Sequence, residues 1–246
     1  MKRMHSMLGA ALWLVAGVAA AALPPLQADS AALDRAYIPA LMLSNGKDPA
    51  KATAAQDAYE IAWKQFASKQ RSVYAGDAGW TKTLAAAEAA NAQARAALAA
   101  GRLTDAHNAQ EEVRHALWHQ RQAMGVAYLP DALTDFHATM ELIIATAQGK
   151  APAEIGAADV ATLRTKLAEA RAQWQTVTDS RWNTTDYGLE GPRLDTYRAA
   201  LAAESQALDA FAAALDSGDG ARIAKAAAAI KPPFAKAYSA FGVFPQ

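Results

Sequence analysis

GRLTDAHNAQEEVRHALWHQRQAMG, residues Gly101–Gly125, reads as one helix bounded by two glycines. Its interior has no Gly or Pro, and strong helix formers fill it. Leu103, Val113 and Leu117 fall on one side of a helix turning about 100° per residue. His107 and Arg114 lie at the edge of that apolar stripe, Glu111 just beyond it, and Glu112 and His119 face away. Thr104 or Asp105 is the expected N-cap, and Gly125 the expected stop.

The same grammar recurs in both directions. Further helices are expected over residues 30–43, 49–69, 77–100, 131–148, 157–178, 194–215 and 221–241. Pro39 lies within the first, and Pro232-Pro233 disturbs the last. Asn45-Gly46 and Ser217-Gly218-Asp219-Gly220 are turn signals, and a polar linker follows residue 178. Strand formers never accumulate in alternating runs. The expected fold class is therefore all-α, an antiparallel helical bundle.

LDRAYIPAL and LTDFHATME open two helices alike, and each leads toward a helix with one tryptophan, Trp63 or Trp174. Each series then reaches a helix ending in Gly. This suggests two pseudo-repeated four-helix bundles, residues 29–128 and 129–246, with one continuous domain as the alternative. The last helix of the second half carries no His or Glu, so any polar site belongs to one end and is not duplicated.

Residues 1–28 read as a signal peptide: Lys2 and Arg3, an apolar run from Leu8 to Ala22, then small residues before Asp29-Ser30. Cleavage fits after Ala22 or Ala28, and an uncleaved anchor is the alternative, although the run is short for a bilayer crossing. The expected location is the bacterial periplasm. Losing Lys2 and Arg3 from 24 basic against 24 acidic residues leaves a net charge of −2, close to neutral, which argues against the basic patch a nucleic-acid surface needs. No later segment is apolar enough to span a membrane. The absence of cysteine excludes thiol redox chemistry, iron–sulfur ligation, thiolate copper sites and covalent haem attachment.

Without the leader, four histidines remain, all between residues 107 and 137. His107 and Glu111 stand four apart on one helix, and His137 and Glu141 four apart on the next. Such pairs share a face, one turn apart. A short connection makes the two helices expected antiparallel neighbours. The two pairs then face each other as two imidazoles and two carboxylates, with His115 and Met140 as further candidate ligands and Arg114 as a supporting residue. That set suits copper or iron. Glu112 and His115 have the Glu-x-x-His spacing of di-iron bundles, but only once; Glu60 and Glu88 have no His three residues later.

The leading expectation is thus a periplasmic metal-binding bundle, its partners a metal ion or a redox partner in the envelope. A haem b electron carrier using His with Met124 or Met140 is the first alternative. A structural or interaction module of the envelope, with the His–Glu pairs as ordinary surface pairs, is the second. A homodimer is an open option. No phosphate loop, nucleophile elbow or His-Glu-x-x-His motif indicates an enzyme.

Overall fold

A computed structural model describes residues 25–179 and 181–245. Most of the expected signal peptide lies outside the described residues. Pro25–Ala28, at its expected end, form the first turn of helix α1, with Leu26 buried.

The described residues form an all-α bundle. Its helices are α1 (Pro25–Ser44), α2 (Pro49–Val73), α3 (Ala78–Ala99), α4 (Leu103–Ala123), α5 (Leu129–Gln148), α6 (Ala157–Val177), α7 (Gly191–Ser217), α8 (Gly220–Ala228) and α9 (Lys231–Ser239). Local chemistry sets most boundaries. Asp48, Asp77 and Asp219 accept backbone N–H bonds as side-chain caps of α2, α3 and α8. Gly101 and Gly125 follow α3 and α4 with φ of 70° and 67°, a conformation that lacks a steric penalty only for glycine.

Two local expectations are corrected. Helix α4 has no side-chain cap: Arg102 occupies the cap position, and Asp105 pairs with Arg102 at 2.8 Å instead. The expected final helix is two helices. Pro232 and Pro233 lack the N–H groups a continuing helix needs, so they sit in the first turn of α9, where those donors are not required.

α1 packs chiefly on α2, α3 on α4, α5 on α6, and α7 on α9. One contiguous buried apolar cluster draws on both halves, with Tyr59, Trp80, Phe136 and Phe211 among its largest members. α4 and α5 are joined through long side chains rather than through close backbone packing. α4 rests on α3 and α1, whereas α5 rests on α6, α8 and α9. Long side chains span the gap between the α4 and α5 backbones.

The bridge nearest the α4–α5 connection is a buried ion pair. Arg121 donates to Asp131 from Nε at 2.8 Å and from Nη2 at 2.5 Å. Tyr128 donates to Asp34 at 2.7 Å beside it, which ties α1 into the same network. Further along α4, away from this clamp, the gap widens into a cleft.

Candidate functional site

The cleft has a volume of about 490 Å³ and is lined by four helices. Leu41 and Met42 come from the end of α1, Asn45 from the turn after it, and His107, Glu111, Arg114 and His115 from α4. His137 and Glu141 come from α5, and Lys231, Phe234 and Tyr238 from α9. All four principal residues singled out from the sequence therefore share one cavity, together with His115 and Arg114.

The two His–Glu pairs do not merge into a four-ligand cluster. Among the described residues, no group of three or more His, Cys, Asp or Glu side chains is placed to hold a metal ion. The physical reason is Arg114, which stands between the pairs. It is only 5% exposed; it contacts Glu111 and donates to Nδ1 of His137 at 2.9 Å. Its guanidinium also lies 5.8 Å from the centre of the Tyr238 ring. Burial opposes the Arg114 charge, but Tyr238 and Glu111 outweigh it and hold its pKa above the ordinary value.

The hydrogen-bond partners give the two imidazoles different tautomers. A guanidinium can only donate, so His137 Nδ1 accepts, and the proton of the neutral ring sits on Nε2. That Nε2 faces Glu141 Oε1 at 3.4 Å, and Lys231 donates to the same oxygen at 2.7 Å. Phe234 stacks on the His137 ring with centroids 5.1 Å apart. The hydrogen bond from His137, and then Lys231, hold the Glu141 carboxyl down at about 2. This half of the cleft is a closed chain of partners.

His107 is arranged the other way. Its Nδ1 lies 3.0 Å from the Leu41 carbonyl, which can only accept, so Nδ1 carries the proton. Nε2 faces Glu111 Oε1 at 3.6 Å, and it carries a lone pair when the ring is neutral. An imidazole oriented through one nitrogen by a backbone carbonyl, with the other nitrogen free, is the arrangement metal-ligating histidines adopt. His115 is held below its ordinary pKa by burial and then by the Arg114 charge, which favours its neutral form.

Other expected participants lie elsewhere. Met140 is fully buried in the apolar core and does not line the cleft. Met124 accepts a hydrogen bond from Trp80 Nε1 at 3.2 Å. Glu60 is bound by Gln56 and Arg95, and Glu88 by Arg71. In the sequence, Pro232-Pro233 reads only as a disturbance of the last helix. Yet Lys231, Phe234 and Tyr238, spaced by three and four on one face of α9, form a wall of the cleft. That spacing was the available signal.

No protein-family model, curated protein or solved structure shows a significant match to the chain.

Proposed function

We propose that the chain is an exported, periplasmic binding protein that takes a copper or iron ion in the cleft, with His107 and Glu111 as its first protein ligands. The observation that carries this reading is the geometry of His107, whose Nδ1 is held by the Leu41 carbonyl at 3.0 Å while its Nε2 faces the Glu111 carboxylate at 3.6 Å. With the ring neutral, two electron-rich groups at that distance repel. A cation between them turns repulsion into coordination. Adjacent N and O ligands around an ion with bonds near 2.1 Å sit roughly 3.0–3.4 Å apart, so only a small movement is needed. Imidazole plus carboxylate suits first-row metals.

Two protein ligands leave the remaining positions to water or to an exchangeable small ligand. That favours a labile carrier or receptor over a tightly held cofactor. His115 is available as a third ligand if the ion draws it in. The His137–Glu141 pair, engaged with Arg114 and Lys231, acts as a wall in this reading.

The test is metal content and metal titration of the full chain, purified without chelators or a histidine tag, with His107→Ala, Glu111→Gln and His137→Ala alongside. Stoichiometric copper or iron, lost in the first two variants and largely kept in the third, is the expected result. An absorbance spectrum separates the haem alternative by its Soret band. Absence of metal uptake, or uptake indifferent to His107 and Glu111, overturns the proposal.

A further inference from the structure

A second cavity, about 470 Å³ in volume, lies at the carboxyl-terminal end of the described chain. The start of α7, the last turn of α9 and the tail after it line it, it is open to solvent on one side, and its lining is mostly apolar. Val243 and Phe244 form one side and are 56% and 37% exposed, although they are large apolar residues next to each other. Arg193 and Lys236 border the same cavity.

Among the described residues, no carboxylate lies within ion-pair distance of Arg193, Lys236 or the neighbouring Arg35. Glu190 and Asp195, the acidic residues nearest Arg193 in sequence, do not pair with it. Arg193 instead donates to the Ala240 carbonyl from Nε at 3.1 Å and Nη2 at 2.6 Å. Burial, and then repulsion from Arg35, push its pKa below the ordinary guanidinium value. The tail itself is anchored: Val243 N–H donates to the Arg35 carbonyl at 2.7 Å. The positive end of the α7 dipole adds to the field.

We propose that this cavity binds a single-chain amphiphile with an anionic head, of the fatty-acid class. The apolar lining takes the chain, and Arg193 with Lys236 takes the carboxylate. A neutral apolar molecule would make no ion pair with Arg193 or Lys236, and a small inorganic anion would leave Val243 and Phe244 wet. The cavity volume lies within the usual range for small-molecule sites. The site is separate from the histidine cleft and does not depend on the metal reading.

Calorimetric titration of the full chain with hexanoate, octanoate, decanoate and dodecanoate, below their micellar concentrations, tests it. One-to-one binding should strengthen about tenfold for each added pair of methylenes until the cavity is filled. Methyl dodecanoate and dodecylammonium should bind at least tenfold more weakly. Lys236→Gln, an exposed position, and Val243→Asp should each weaken dodecanoate at least fivefold without changing the melting temperature. Equal binding of dodecanoate and dodecylammonium, binding unaffected by both variants, or affinity seen only with anionic phospholipid vesicles would each overturn the proposal. So would the absence of dodecanoate binding to the wild-type chain.

Discussion

The guanidinium of Arg114 donates to Nδ1 of His137 at 2.9 Å across the gap between α4 and α5 while also contacting Glu111. This one side chain separates the two His–Glu pairs and assigns the His137 tautomer. It also adds a fixed positive charge to a cleft proposed to take a cation. Arg114→Met removes that charge with little change in volume. Glu111 and His137 then lose their shared partner, and stability should fall by about 3–5 kcal/mol. Affinity for copper at His107 and Glu111 should rise, because like-charge repulsion is removed. Urea denaturation and copper titration on the same variant read the two effects separately.

Acid should weaken the protein partly through Glu141. His137 and Lys231 hold its folded-state pKa at about 2, against an ordinary value of 4.5. A depressed carboxyl contributes stability that is present above the unfolded pKa and lost as pH falls through the folded one. The relevant window is therefore pH 4.5 down to 2. Glu141→Gln should lower stability at neutral pH and flatten the profile in that window, so that wild type and variant converge as pH approaches 2. Denaturation midpoints measured across the window check this.

Glu204 on α7 should act at the opposite end of the pH scale. It is fully buried, and among the described residues neither carboxylate oxygen has a hydrogen-bond partner, while the Phe234 backbone N–H acts weakly against the effect of burial. Burial raises its pKa from 4.5 to about 8. Its contribution is therefore fully present below pH 4.5 and is lost as pH rises through about 8. Glu204→Gln keeps the shape and removes the proton. It should be more stable than wild type at alkaline pH, by on the order of a few kcal/mol. Thermal melts from pH 5 to 9 should show wild type losing stability with a slope that the variant lacks.

Two positions on α5 should separate core from surface. Phe136 is fully buried, with its ring centroid 4.8 Å from that of Trp174 and 5.8 Å from that of Phe234. Phe136→Ala should cost about 3–5 kcal/mol. Leu142, on the same helix, is 51% exposed, and Leu142→Ala should change stability by less than about 0.5 kcal/mol. Guanidinium denaturation of the two variants gives the comparison.

The long helices were legible because their signals are local. Gly101, Gly125 and the 3.6-residue apolar period bracket α4 without reference to the rest of the chain. The histidine face was legible for the same reason: the i,i+4 spacing of His107 with Glu111, and of His137 with Glu141, placed each pair on one side of its helix. The expected Thr104 or Asp105 cap failed because Asp105 had a competing partner in Arg102. Helix α9 was missed as part of the site because Pro232-Pro233 dominated the reading of that segment.

By itself, the sequence determined an all-α chain, its helix succession and the clustering of polar candidates on α4 and α5. Each of these depends on residues within a few turns of one another. Only the tertiary structure decided that α4 and α5 stand apart, that Arg114 fills the space between their histidines, and that the Leu41 carbonyl orients His107. It also brought Lys231 to Glu141 from 90 residues away. Those outcomes depend on which long side chains find partners across a packed interior, and periodicity along one helix carries no information about its neighbours.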